Sequence, residues 1–180
     1  MPDLEPQEQR KWEFLRDVPL RDATSNETPG NEQLRQVAAA FATVANLSPW
    51  PQWCFANLAL CAARDCIVYQ TDNDRIGREQ IDGLTDPYVS PLAPFQRGYD
   101  DCDAKARFFV GLCVCRRMNA EMVPRRRGFK LAHVYGRVVV QGPRDKTPRW
   151  YLAETILGRA RLGEIAEAVP KEIETGKWLF

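Results

Sequence analysis

The chain has 180 residues, and its 25 lysines and arginines nearly balance its 24 aspartates and glutamates, which leaves a formal net charge of +1. This balance excludes the strong positive field that attracts nucleic acid or an anionic membrane surface, so we expect neither as a partner. No apolar run approaches the roughly 20 residues that span a bilayer, and the N-terminus lacks the basic start and apolar centre of a signal peptide. We therefore expect a cytoplasmic protein without a membrane span.

The length predicts a single domain with a substantial core. We place that domain at residues 31–170, after an extended N-terminal arm at residues 1–30 that is largely polar. Residues 171–180 form a C-terminal tail that ends in Trp178-Leu179-Phe180. This apolar tip is expected either to dock on the chain's own body or to insert into a partner subunit.

Two helices are predicted in the first part of the domain. Apolar residues recur at helical spacing from Asn31 to a point before Ser48, and again over about residues 52–66. The segment 67–100 that follows is long and polar, which is typical of a functional stretch in a compact domain. With no CxxC pair to suggest a metal or redox site, three cysteines near the second helix are interpreted as small core residues: Cys54, Cys61 and Cys66.

An acidic turn, Asp100-Asp101, leads into Cys102 and a strongly apolar run. Asp101 is predicted to be the N-cap of a helix over 102–118, and Asp103 would complement the helix dipole in its first turn. Cys102 then lies at a helix N-terminus, where backbone N–H groups lower the pKa of a thiol. Because the flanking carboxylates oppose this effect, a thiolate here requires a cationic partner, usually an imidazolium.

The chain has one histidine, His133, in a segment of alternating polarity at 131–140 that predicts a strand, with His133 on its wetter face. A second strand is predicted at 150–156. If the two strands pair as a hairpin turning at Pro143-Arg144, opposed residue numbers sum to about 287, and His133 lies across from Glu154. A carboxylate there would fix the imidazole tautomer and support the imidazolium.

The third position of such a triad is open to other acids, since Asp145 or Glu164 could take the place of Glu154. The basic run at 124–130 is interpreted as a solvated turn, with contact to a phosphate or an acidic partner as the alternative. A helix is predicted over about residues 160–169, before Pro170.

The order of these motifs resembles the transglutaminase-like superfamily of papain-type folds, most closely the bacterial transglutaminase-like cysteine peptidases and related phage-encoded domains. The resemblance covers roughly residues 55–157. Its motifs are Ile67-Val68-Tyr69-Gln70-Thr71-Asp72, Ser90-Pro91, Asp101-Cys102-Asp103-Ala104-Lys105-Ala106 and the strand with His133. The chain departs from the family at Asp100, where the family has glycine, at Ala104, where it has a second acid, and at Glu154, where aspartate is usual.

The resemblance implies an α+β fold in which N-terminal helices and a central nucleophile helix pack on a small antiparallel sheet. It implies Cys102 as the nucleophile, His133 as the base and Glu154 as the third member of a triad. The residues expected to line the substrate cleft are Tyr69, Tyr99, Asp101 and Asp103. Because some family peptidases bind calcium through acids beside the cysteine, Asp101 and Asp103 are also weak calcium candidates.

These features predict a cysteine-dependent hydrolase that attacks peptide or side-chain amide bonds through a thioacyl intermediate, with a protein or peptide substrate and no cofactor. An amine acceptor in place of water would make it a transferase. The alternative is a non-catalytic structural or interaction protein, such as a phage virion or tail component that contacts partner subunits through Trp178–Phe180.

Overall fold

The computed structural model describes residues 29–70, 91–127 and 130–164. The predicted C-terminal tail with Trp178–Phe180 and nearly all of the predicted N-terminal arm lie outside these residues. The described part is mixed α+β, with four helices and two small sheets. This agrees with the expected α+β class.

The elements follow one another along the chain with helices first and the larger sheet last. In order they are α1 (Pro29–Ala45), α2 (Pro51–Asp65), β1 (Val68–Tyr69), α3 (Ala93–Arg97), β2 (Tyr99–Asp100), α4 (Cys102–Cys115), β3 (Ala120–Arg127), β4 (Lys130–Val140) and β5 (Arg149–Ala153). None of the helices in these ranges is long and apolar enough to cross a membrane.

Helix α4 is the centre of the described structure. It packs against α1 and α2 on one side and against β3 and β4 on the other, and Phe108, Phe109 and Leu112 are fully buried. The apolar run after Cys102 therefore forms a helix because it can bury its whole circumference rather than one stripe.

Strands β3, β4 and β5 form an antiparallel sheet with β4 in the middle. Alternate residues of β4 face α4, and Val138 and Val140 are completely buried there. Gly136 brings the strand close to the helix, because a Cβ on this residue would lie less than 3.0 Å from the ring of Phe109. Helix α4 and strand β4 therefore approach each other through a position that favours glycine.

Several predicted elements differ from the observed ones. Helix α4 ends at Cys115, three residues before its predicted end. The basic run at 124–130, interpreted as a solvated turn, instead belongs to strands β3 and β4 where it is described. The helix predicted over 160–169 is wrong in its described part, since residues 160–164 contain only turn and irregular backbone.

The cysteines near α2 were expected in the core, but Cys61 and Cys66 are exposed and Cys54 is only partly buried. Small residues fill the buried face of α2 instead, where Ala59 and Ala63 are fully covered. All six cysteines of the chain lie in the described ranges, and each is a free thiol.

Candidate active site

Cys102 is the first residue of α4, and the backbone around it is tightly held. Asp101 is the N-cap, and its Oδ1 accepts a hydrogen bond from the N–H of Ala104 at 3.2 Å. The N–H of Asp101 itself donates to Oδ1 of the buried Asp100 at 3.0 Å, and Arg97 pairs with the other oxygen of Asp100. The predicted cap is therefore confirmed, and the buried Asp100 anchors the turn before the cysteine.

A parallel pair of short strands fixes the approach to this turn. Val68 of β1 pairs with Tyr99 of β2, and Tyr69 pairs with Asp100. Tyr69 and Tyr99 therefore lie on adjacent strands but one residue out of step, so their side chains point to opposite faces of the pair and do not line one cleft together as expected. Tyr99 is exposed, with the Arg97 guanidinium 5.7 Å from its ring centroid.

His133 and Glu154 form a buried pair. Nε2 of His133 lies 3.0 Å from Oε2 and 3.2 Å from Oε1 of Glu154, and both side chains are essentially inaccessible to solvent. Because a carboxylate accepts hydrogen bonds, Nε2 is the ring nitrogen that donates in this pair, and Nδ1 is the nitrogen left for another partner. Nδ1 is buried and has no hydrogen-bond partner among the described residues.

The backbone geometry that brings His133 and Glu154 together differs from the predicted hairpin pairing. The observed register of β4 and β5 matches Gly136 with Ala153 and Val140 with Arg149, two residues away from the predicted register. Glu154 follows directly after the end of β5, and its Oε1 also accepts the N–H of Ile156 at 2.9 Å. The predicted contact is present, but a turn after the strand makes it rather than a cross-strand pairing.

The early end of β5 leaves one edge of β4 open at Val134. Continuing the register would place Thr155 opposite Val134, yet β5 stops at Ala153. The thiol of Cys102 forms a hydrogen bond with the Val134 backbone that lowers the thiol pKa, as expected for a donated N–H. The sulfur therefore lies against β4 at Val134, and it makes no hydrogen bond with Nδ1 of His133.

The charge around Cys102 opposes ionisation of the thiol. Burial raises its pKa well above the ordinary value, and the carboxylates of Asp101, Asp103 and Glu154 raise it further. The hydrogen bond from Val134 acts in the other direction and is outweighed. The expectation that the helix N-terminus lowers the pKa of this thiol is therefore wrong, because desolvation and three nearby carboxylates act more strongly than the helix end.

Two buried cations lie on α4 beside this cluster of acids. Arg107 pairs with Asp103 at 2.8 Å across one helical turn. Lys105 donates from Nζ to the backbone oxygens of Ile67 at 2.5 Å and Arg64 at 3.2 Å, and burial lowers its pKa to about 8. Lys105 therefore connects the start of α4 to the end of α2.

The acids considered as calcium ligands are engaged in other contacts. Asp101 caps α4 and Asp103 pairs with Arg107. Within residues 29–70, 91–127 and 130–164, no group of three or more histidine, cysteine, aspartate or glutamate side chains could hold a metal ion.

The face of β4 that carries His133 is not the wet face that the alternation predicted. His133 and Tyr135 are both buried, and their rings meet edge to face with centroids 4.4 Å apart. The Tyr135 oxygen accepts a hydrogen bond from Nη1 of Arg125 at 3.0 Å. Tyr135 and Arg125 are thus neighbours of the site that sequence reasoning did not single out, although the His-x-Tyr spacing places both rings on one strand face.

The other acids proposed for the third position lie elsewhere. Asp145 accepts hydrogen bonds from Tyr151 and from the N–H of Gly142 within the loop between β4 and β5. Glu164 accepts the N–H of Arg161 at the surface. Of the three acids considered, Glu154 is the one that contacts His133.

Comparison with known proteins adds no relative. No family model matches the sequence. No curated protein and no solved structure is significantly similar to it.

Proposed function

We propose that this protein is a cysteine-dependent hydrolase of peptide or side-chain amide bonds, with Cys102 as nucleophile, His133 as base and Glu154 as the carboxylate that orients the base. The observation that carries the proposal is the state of the imidazole. Its Nε2 is held by both oxygens of Glu154, while Nδ1 is buried without a partner among the described residues. A buried polar nitrogen without a partner is costly in a merely structural histidine, whether it donates or accepts.

In the first step, the Cys102 sulfur attacks the amide carbonyl carbon and forms the S–C bond, while its proton passes to Nδ1 of His133. The positive charge that develops on the imidazole is stabilised by the adjacent Glu154 carboxylate. Backbone N–H groups at the start of α4 are the donors available for the negative carbonyl oxygen. The raised thiol pKa is the reason for assigning the thiol, rather than a preformed thiolate, as the resting state.

In the second step, the C–N bond breaks and the proton on Nδ1 moves to the leaving amine, which leaves a thioester on Cys102. Water then attacks the thioester carbon as His133 takes one of its protons, and the thiol and a free carboxylic acid are released. An amine in place of water would give a transferred acyl group by the same steps.

We also propose that the fold belongs with the transglutaminase-like papain-type folds. In support, the cysteine opens the central helix, the histidine lies on the middle strand of an antiparallel sheet, and the carboxylate follows the next strand. The exposed Tyr99, on the strand that leads to Cys102, supports a cleft at this edge.

A second candidate function is a structural or interaction protein, including a virion or tail component, that has kept the arrangement without the activity. The observation that favours it is the charge around Cys102, because burial and three carboxylates suppress the thiolate. In that case the His133–Glu154 pair would be a buried hydrogen bond that stabilises the sheet edge.

The test is acylation by p-nitrophenyl acetate, followed by mass spectrometry of each cysteine peptide. We expect rapid formation of an acetyl thioester on Cys102, which water then discharges, and much slower acetylation in His133→Ala. Cys102→Ser removes the adduct, and Cys61→Ser, which deletes an exposed thiol, is the matched control and leaves it unchanged. Acetylation of Cys102 no faster than that of Cys61, with or without His133, would support the structural candidate instead.

A further inference from the structure

Arg125 lies beside the proposed site and is positioned by it. On β3 it is the direct cross-strand partner of His133 in β4, so the two side chains share one face of the sheet. Its Nη1 donates to the hydroxyl of Tyr135, whose ring packs against His133. The guanidinium is therefore held near the imidazole by a contact that uses one of its five N–H donors.

Arg125 differs from the other arginines of similar burial. Among the described side chains, five other arginines are at least partly buried, and each pairs with a carboxylate: Arg35 with Glu32, Arg64 with Asp65, Arg97 with Asp100, Arg107 with Asp103 and Arg137 with Glu121. Arg125 is also partly buried, yet its contact is the neutral hydroxyl of Tyr135, and no carboxylate of the described chain pairs with it. A half-buried cation of this kind is suited to an anion that comes from outside.

We propose that Arg125 recognises a carboxylate on the substrate, so that the preferred substrates are amides with a carboxylate close to the bond that is cleaved. This inference rests on the proposed function in one respect, which is that the bond that reacts is an amide. It also gives a role to part of the basic run at 124–130, since Arg125 belongs to that run and contacts a ring that packs on His133.

A carboxylate fits this place better than a phosphate. The guanidinium fork matches the planar geometry of a carboxylate, and a singly charged group suffers less repulsion than a dianion from the three carboxylates near Cys102.

The test compares two alkylating agents of similar size, anionic iodoacetate and neutral iodoacetamide, and reads the rate at Cys102 by mass spectrometry. The measured quantity is the ratio of the iodoacetate rate to the iodoacetamide rate. We expect Arg125→Met to lower this ratio by about five-fold, the size of a favourable ion pair at a partly exposed site, with little change in the iodoacetamide rate. Arg125→Lys keeps the charge and gives an intermediate ratio, and circular dichroism verifies that each variant is folded.

Arg137→Met is the matched control. It removes the same positive charge from β4, two residues after Tyr135. Arg137 differs from Arg125 in that it pairs with Glu121, and its Cζ lies 4.4 Å from the centroid of the Trp150 ring. We expect the ratio at Cys102 to be unchanged in this variant. An equal fall in Arg125→Met and Arg137→Met, or no fall in Arg125→Met, would overturn the proposal.

The outcome separates this inference from the proposed function. If His133→Ala slows the iodoacetamide reaction while Arg125→Met leaves the ratio unchanged, the catalytic assignment stands and the carboxylate site fails. If Arg125→Met lowers the ratio while His133→Ala has no effect, the anion site stands and the catalytic assignment fails.

Two probes then distinguish the source of the carboxylate. N-acetyl-glycyl-glycine carries only a chain-terminal carboxylate, and N-acetyl-glutamate amide carries only a side-chain carboxylate. We expect at least one of them to protect Cys102 from iodoacetamide in the wild type and to lose this effect in Arg125→Met. Protection by neither probe, or equal protection in both proteins, would contradict the assignment.

Discussion

Glu154 places both carboxylate oxygens within 3.2 Å of His133 Nε2, although neither residue is the strand partner of the other. The contact is possible because β5 ends at Ala153 and the next residue turns its side chain towards β4. Glu154 Oε1 also accepts the N–H of Ile156, so the local backbone holds the carboxylate in place. The orientation of the imidazole is therefore determined by a turn.

Substitution of Glu154 tests how much this pair contributes. Glu154→Ala leaves two buried donors unpartnered, Nε2 of His133 and the N–H of Ile156, so we expect it to lower the free energy of unfolding by about 2–3 kcal/mol. Glu154→Gln keeps an oxygen for one donor and is expected to cost about 1 kcal/mol. Urea unfolding measures both values, and an unchanged stability in Glu154→Ala would contradict the observed contacts.

The approach of α4 to β4 depends on Gly136. A Cβ at this position would lie less than 3.0 Å from the ring of Phe109, which is fully buried and cannot move freely. We expect Gly136→Ala to lower the free energy of unfolding by about 1–3 kcal/mol and to slow Cys102 acylation by shifting the helix from the strand. Gly158→Ala is the control, since nothing lies within 4 Å of the added Cβ; equal stabilities of the two variants would be the contrary result.

Asp101 has two roles that substitution can separate. Its side chain caps α4, and its charge raises the pKa of Cys102. Asp101→Asn keeps a capping oxygen and removes the charge, so the thiol pKa falls and a larger fraction of Cys102 is thiolate at any pH below that pKa. We expect faster alkylation of Cys102 with little loss of stability in Asp101→Asn, measured by iodoacetamide labelling and urea unfolding.

Asp101→Ala is the comparison for this experiment. It removes the charge and the cap together, so we expect the same change in reactivity with an additional loss of about 1 kcal/mol in stability. If neither variant changes the reactivity of Cys102, the carboxylate does not influence the thiol as described.

Lys105 predicts a stability that depends on pH. Burial is the main reason that its pKa falls to about 8 in the folded chain, from an ordinary value of 10.5, and the nearby acids offset only part of this effect. Between these values the unfolded chain binds more protons than the folded one, so this residue's contribution to stability rises with pH through that window and is constant below it.

Lys105→Met removes this dependence and provides the measurement. We expect the free energy of unfolding of the wild type to rise relative to that of Lys105→Met as the pH increases from 8 to 10.5, and the difference between the two to change by at most about 3 kcal/mol. Urea unfolding at several pH values gives the difference. A difference that is flat, or that falls with pH, would show that the ammonium is not buried as described.

The local backbone structure at Cys102 could be predicted from the sequence because it depends on residues close together in the chain. The Asp101 cap and the start of the helix at Cys102 follow from an acid before an apolar run. The contact between His133 and Glu154 was also predicted, but from a register two residues away from the observed one. The long side chain of Glu154, just after the end of β5, reaches His133 in spite of the two-residue difference in register. The contact was therefore predicted correctly although the register was not.

Features that depend on distant parts of the chain were not predictable in this way. The parallel pairing of Val68 with Tyr99 joins two-residue strands that have no periodic signal of their own. The burial of the Cys102 environment, which reverses the expected direction of the thiol pKa, depends on how α4 and β4 pack. The contacts of Arg125 with Tyr135 and of Tyr135 with His133 depend on the register of β3 and β4. The sequence does not predict this register, because the basic run at 124–130 is interpreted as a turn.

The most direct test of the catalytic assignment is alkylation of the native protein by iodoacetamide, read cysteine by cysteine by mass spectrometry, in the wild type and in His133→Ala. The exposed Cys61 and Cys66 serve as internal standards. We expect His133→Ala to slow Cys102 by about tenfold or more and to leave both standards unchanged, because Nδ1 of His133 takes the proton of the thiol as it reacts. An equal rate at Cys102 in the two proteins would show that the imidazole does not act on the thiol, and the enzyme assignment would be wrong.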